Sequence, residues 1–116
     1  LVDDEDHPGY CRVIWHAHVA EMSDLTPADQ RHLMNVVMAT EIALRELMQP
    51  AKINLASLGN KVPHLHWHVI ARFVDDRHFP DAIWGKLQRE GVRRNGPARA
   101  ALHDALVVAL TELRAG

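Results

Sequence analysis

The segment His64-Leu65-His66-Trp67-His68-Val69-Ile70 alternates between imidazole and apolar side chains, and no other stretch constrains the fold as strongly. In an extended chain the side chains at i, i+2 and i+4 share one face. A strand over residues 64–74 therefore carries three imidazoles on one side and Leu65, Trp67 and Val69 on the other. With a rise of about 3.3 Å per residue, neighbouring rings in the row root roughly 6.6 Å apart and the outer pair roughly 13 Å apart. Two adjacent rings can tip toward one ion at metal–nitrogen distances of about 2.0–2.1 Å, but three in a straight row do not easily converge on it. A metal thus explains two histidines and leaves one over. A lone histidine on a strand face is usually a satisfied polar residue. Three in register carry an electrostatic cost that packing does not select, which favours a functional reading.

Such a row suits nucleophilic chemistry. Imidazole is a nucleophile when neutral and an acid when charged, and its ordinary pKa of about 6.5 keeps both forms accessible near neutrality. Donors and cationic rings around a central nucleophile match a phosphorus centre, whose charged oxygens need stabilisation during in-line displacement.

The rest of the chain reads as an α+β domain. Residues 10–20 alternate with Tyr10, Arg12, Ile14, His16 and His18 on one side, predicting a half-buried strand, and Leu1 and Val2 are expected to close an earlier one. Thr26-Pro27 with Asp29 is a helix start, followed by an apolar stripe of Leu33, Val37, Leu44, Leu47 and Met48 that Pro50 terminates. Residues 53–58 predict a short strand, with Gly59-Asn60 as the turn out of it. Residues 75–94 predict a loop plus a short helix, anchored by Phe79, Ile83 and Trp84. Asn95-Gly96-Pro97 then opens a second helix with the stripe Leu102, Leu106, Leu110, Leu113. The order strand, strand, helix, strand, strand, helix suits an antiparallel sheet with helices packed on it.

With 116 residues, 47% of them hydrophobic, the chain is expected to form a single domain over residues 1–116. A net charge of −2 offers no field for long nucleic acid, so a nucleic-acid partner is not expected. The single Cys11 excludes an intrachain disulfide and a Cys-based zinc knuckle. No apolar run approaches a membrane span and the acidic start is unlike a signal peptide, so no membrane partner is expected and the cytoplasm is the expected location. The sequence opens on Leu1 rather than Met, as a chain shortened at its N-terminus does.

His64 to Ile70 fits every position of the signature His-φ-His-φ-His-φ-φ, with φ apolar, and so resembles the histidine triad (HIT) family. Asn54 followed by Gly59-Asn60-Lys61-Val62-Pro63, and the strand Arg12-Val13-Ile14 leading to His18, are similar to the same pattern. Within the family the chain looks most like the bacterial branch described as diadenosine tetraphosphate hydrolase-like.

The resemblance implies a HIT-like antiparallel sheet with a long helix packed on it and a C-terminal helix. It also implies a nucleotide hydrolase or transferase acting at the α-phosphate of a dinucleoside polyphosphate or nucleoside phosphoramidate. By that pattern His66 is the nucleophile that forms a nucleotidyl-histidine. His68 hydrogen-bonds the phosphate and leaving group and helps transfer the proton, and His64 orients the nucleophile. Asn54, Asn60 and Lys61 are the candidate substrate-binding residues. No metal and no other cofactor is required, and a homodimer is expected.

The chain departs from the family pattern at Asn60, where Gln is frequent, at Lys61, where Ser is frequent, and at Ala71, where Pro is frequent. The rival readings are a metal-dependent hydrolase using a His-x-His pair and a non-catalytic nucleotide-binding module. His16 and His18 form a second His-x-His that would suit zinc only with a third ligand. Trp67 is expected under the sheet, Trp84 either over the site or at an interface, and Arg72, Arg93 and Arg94 are expected as solvated charges. Arg72 shares the parity of the triad and is placed to meet a distal phosphate.

Overall fold

The His-rich segment becomes the centre of the sheet. In the computed structural model, which describes residues 1–115, β3 (His66–Arg72) pairs antiparallel with β1 (Tyr10–Ile14) on one side and β2 (Lys52–Ala56) on the other. The long helix α1 (Pro27–Met48) precedes β2, and α2 (Arg99–Ala115) closes the chain. The α+β antiparallel architecture is the expected one, with one strand fewer: Leu1 and Val2 form none, although Val2 N–H donates to Tyr10 C=O at 2.7 Å.

Directly paired residues of an antiparallel sheet point to the same side. The register opposes Cys11 to Val69 and Ile53 to Ala71, and these four form one apolar face. Leu33, Val37, Ala43 and Leu44 of α1 cover it, with Leu65 and the first turn of α2 through Leu102. Each fully buried Leu of this layer contributes about 1.5–3 kcal/mol. Helix α1 starts as its sequence dictates: Thr26 Oγ1 accepts from Asp29 N–H at 3.1 Å, and Pro27 follows at the first helical position. It ends at Gln49, in a left-handed conformation, with Pro50 next. The stripe departs from expectation at Leu47, which faces outward, while Ala39, Thr40 and Ala43 complete the buried side. Helix α2 packs chiefly on α1 rather than on the sheet. Among the described residues no helix is long and apolar enough to cross a membrane.

Three further expectations change. β1 ends at Ile14 instead of running to residue 20, because Trp15 N–H donates to Leu65 C=O at 3.1 Å whereas Leu65 N–H donates to Val19 C=O at 2.8 Å. Both sides of the pairing thus meet the same residue, and residues 16–18 are looped out between them. β3 starts at His66, leaving His64 in the connection, and ends at Arg72 rather than at 74. Residues 75–94 contain no helix; turns and side-chain bonds hold them across the second face of the sheet. That cover is why β3 is buried on both sides, with Ile70 and Arg72 each 1% exposed.

Gly9, which leads into β1, has φ +82, and a Cβ there would collide with Met48 Sδ at the end of α1. Gly9→Ala is expected to cost about 1–3 kcal/mol, because strain in a left-handed conformation adds to overpacking. A urea unfolding midpoint unchanged by the substitution would contradict this.

Candidate active site

The second face of the sheet carries Tyr10, Arg12 and Ile14 from β1, His66 and His68 from β3, and Asn54 and Ala56 from β2. His66 and His68 pack edge to face, with ring centroids 4.9 Å apart. His66 Nδ1 lies 2.6 Å from the backbone carbonyl of His64. A carbonyl only accepts, so Nδ1 carries the proton and the lone pair of the neutral ring sits on Nε2. It is therefore the His64 carbonyl, not its imidazole, that orients His66.

The His64 ring turns elsewhere. Its Nε2 donates to Trp15 C=O at 2.5 Å, which leaves Nδ1 as the acceptor for His18 Nδ1–H at 3.2 Å. The straight row of three imidazoles is thus replaced by two on the strand and a third that ties the 15–18 excursion to the strand entry. His16 stands exposed on that excursion and makes no pair with His18 on a common strand face.

His68 is 8% exposed and enclosed by rings: Tyr10 at 5.6 Å, His66 at 4.9 Å and Trp84 at 5.0 Å between centroids. Tyr10 Oη lies 2.6 Å from His68 Nδ1. Burial pushes the His68 pKa down, and the neighbouring His66 and Arg12 push the same way. Trp84, 53% exposed, reaches over the site, and Trp67 lies on the helix side of the sheet with Nε1–H toward Met22 Sδ at 3.4 Å. The period-two parity of residues 10–18 held the signal for Tyr10. Nothing local marked its hydroxyl as the partner of His68, 58 residues away.

The candidate substrate-binding residues are spread apart. Asn54 Oδ1 accepts from Arg72 Nη1 at 2.8 Å, so that oxygen is committed within the protein. Asn60 and Lys61 are exposed on the connection between β2 and β3 and make no side-chain hydrogen bond among the described residues. Arg72 is no solvated charge. Its guanidinium donates to Asp76 from Nε at 2.8 Å and Nη2 at 3.1 Å, to Asn54, and to Asp81 C=O at 2.7 Å.

Asp76 also accepts from the backbone N–H of Phe73, His78 and Phe79. Burial alone would raise its pKa, but Arg72 and these three donors outweigh it and hold the carboxyl well below the usual carboxylate range. Arg94 pairs with Asp75 at 2.8 Å and lies over the Phe73 ring, while Arg93 is solvent-exposed as expected. The loop that carries Trp84 is thereby fastened to the end of β3.

His7, Asp76 and His78 bring potential metal-ligand atoms within 4.8 Å of one another. Both Asp76 oxygens are already occupied by five hydrogen bonds, two of them from a guanidinium, so the chemistry of the donor set does not suit a cation. His7 Nε2 instead bonds His78 Nδ1 at 3.0 Å, beneath the same loop.

Burial also lowers the pKa of His7 from the ordinary 6.5, outweighing Asp4 and Asp76. His7 and His68 are thus both favoured neutral in the fold. Their contribution is fully present above about pH 6.5 and is lost as the pH falls toward the folded-state values. Stability to urea is expected to decline from pH 6.5 to 5, and His7→Gln is expected to flatten that decline. A midpoint that stays level, or rises, on acidification would contradict it.

The HIT domain family profile matches residues 3–75, more than half of the chain and the whole of the triad strand. The chain belongs to the HIT domain family. Among solved structures, a histidine triad protein from Bradyrhizobium japonicum superposes with a TM-score of 0.70 at 29% identity, covering 96% of this chain and 78% of that one. Another from Marinobacter aquaeolei gives a TM-score of 0.72 at 28% identity, covering 97% and 81%.

Two curated relatives match a smaller share of the chain. The bis(5'-nucleosyl)-tetraphosphatase (asymmetrical) of Schizosaccharomyces pombe is 26% identical over 87 residues, which is 71% of this chain and 48% of that protein. The AP-4-A phosphorylase of Mycobacterium tuberculosis is 27% identical over 85 residues, 68% of this chain and 44% of that protein. The matched region is about half the length of either enzyme.

Proposed function

We propose that this HIT chain cleaves nucleoside phosphate derivatives at the α-phosphate, with His66 as the nucleophile. The observation that carries the reading is the 2.6 Å bond from His66 Nδ1–H to the His64 carbonyl, which presents an unprotonated Nε2 next to His68. In the first step Nε2 bonds to phosphorus and the bond from phosphorus to the leaving oxygen or nitrogen breaks. Positive charge develops on the His66 ring, and the Nδ1–H···O=C bond becomes charge-assisted as it does so. His68 Nε2 is available for a phosphoryl oxygen or the leaving group. In the second step water attacks phosphorus, the nitrogen–phosphorus bond breaks, the ring returns to neutral and a nucleoside monophosphate leaves with release of the water's proton.

The names of the two enzyme relatives support a dinucleoside polyphosphate as the substrate class. The test incubates chelator-treated protein with a dinucleoside tetraphosphate and, separately, with a nucleoside phosphoramidate, and follows nucleoside monophosphate. Release from at least one substrate, undiminished by chelation, is expected. No release from either would overturn the reading in favour of a binding module, and release that chelation abolishes would favour a metal-dependent hydrolase.

A further inference from the structure

Tyr10 is 7% exposed, sits opposite Ile70 in the register and sends its hydroxyl to His68 Nδ1 at 2.6 Å. We infer that Tyr10 is a positioning residue for this active site: its hydroxyl donates to His68 Nδ1 and fixes the neutral ring in the form that carries its proton on Nε2. The inference rests on the proposed α-phosphate chemistry for its catalytic consequence, though not for the tautomer itself.

The direction of that bond follows from the two groups. A phenol is a far better donor than a neutral imidazole N–H, and an imidazole nitrogen is a better acceptor than a phenol oxygen. Burial raises the Tyr10 pKa and lowers that of His68, so both groups are neutral near pH 7, and the phenol keeps its proton to give. No other side chain or carbonyl among the described residues bonds His68 Nε2, so that N–H is left for a ligand.

The two strand histidines are thus set in opposite senses. A carbonyl acceptor at Nδ1 of His66 leaves Nε2 as a lone pair, whereas a hydroxyl donor at Nδ1 of His68 leaves Nε2 as N–H. One ring is made the nucleophile and the other the donor, although the two share a strand face and a chemical identity. With the opposite tautomer, His68 would aim a lone pair at an anionic phosphoryl oxygen. Preorganised donors of this kind act mainly on the charge that develops in the transition state, so their loss falls on kcat more than on KM.

Tyr10→Phe keeps the ring and removes only the hydroxyl. Imidazole 15N resonances of protein labelled at histidine, assigned to His68 by their disappearance in His68→Gln, report the tautomer directly and need no substrate. In the parent protein Nε2–H with an acceptor Nδ1 is expected. In Tyr10→Phe the His68 signals are expected to move toward a tautomer mixture, with kcat falling roughly 10- to 100-fold and KM changing less than about threefold.

The same substitution made in His68→Gln is expected to lower kcat little further, because the two residues act as one unit. His68 found with its proton on Nδ1 in the parent, or a tautomer indifferent to Tyr10→Phe, would overturn the inference. So would additive losses in the double variant. A protein that turns over neither substrate class but shows the expected tautomer and its loss in Tyr10→Phe would sink the α-phosphate reading and leave the positioning of His68 standing. Should Tyr10→Phe fail to fold, 3-fluorotyrosine at position 10 retains the bond and strengthens the donor. An unshifted His68 Nδ1 resonance in that protein would count against the inference.

Discussion

His66→Ala is expected to lower kcat/KM for a dinucleoside polyphosphate by at least about 1,000-fold while leaving the fold intact, because it removes the proposed nucleophile. His66 is partly exposed, and its ring touches His68 rather than the helix-side core, so truncation opens no cavity in the main apolar layer. Unchanged unfolding midpoints should therefore accompany the lost rate. His68→Ala should fall about 100-fold, the cost of one donor aimed at developing charge. The gap between the two variants is itself informative: a nucleophile and a donor differ in what remains after removal. Similar modest losses in both would mean that neither ring bonds to phosphorus, and unimpaired turnover in His66→Ala would exclude it as the nucleophile. The rates are measured at substrate concentrations well below KM, so that differences in binding and chemistry are both counted.

Arg72→Met should be the most destabilising single change in the molecule, at about 3–5 kcal/mol. The guanidinium is 1% exposed and compensates Asp76, which is 4% exposed, so its removal strands a buried carboxylate with only backbone donors. It also releases Asn54 Oδ1 and Asp81 C=O, one on β2 and one on the loop that carries Trp84. The effect should reach the active site: once the loop is unpinned, Trp84 no longer packs on His68, and kcat should fall with stability. Arg72→Lys keeps the charge without the planar fork and should lie between the two.

The pH dependence has a definite sign. Asp76 titrates well below an unfolded carboxyl, so its stabilisation holds above about pH 4 and is lost as the pH falls toward its folded value. In Arg72→Met that acid limb should move to higher pH. A loss below about 1 kcal/mol, or an unaltered acid limb, would mean that the ion pair is replaceable at no cost.

The legible parts of the fold are those set by local rules. Thr26, Pro27 and Asp29 announce α1 through capping alone, and the parity of residues 10–14 and 66–72 assigns each side chain to its correct face. Less legible are the places where distant groups override the period. The alternation from His64 onward looks uninterrupted, yet His64 leaves the strand because its ring finds the Trp15 carbonyl and its own carbonyl is taken by His66. Residues 10–20 alternate throughout, yet three of them loop out because Trp15 and Val19 both pair with Leu65.

Arg72 reads as a solvated charge from its residue type alone, although Ile70, Ala71, Phe73 and Val74 flank it. Its burial depends on Asp76 and on a loop with no periodic signal. Of the candidate site residues, only His66 and His68 share the strand face that spacing assigns to all three histidines. The different setting of their rings could not be read from spacing, because it resides in two Nδ1 partners: a backbone carbonyl at one ring and a phenol from β1 at the other.

The stereochemical course at the α-phosphorus bears most directly on the claim that His66 forms a bond to it. A single diastereomer of a dinucleoside polyphosphate carrying sulfur at the α-phosphorus, hydrolysed in 18O-labelled water, yields a chiral nucleoside phosphorothioate whose configuration can be determined. Two successive in-line displacements, first by Nε2 of His66 and then by water, give net retention, and that is the predicted result. Net inversion would mean one direct attack by water and would contradict the account.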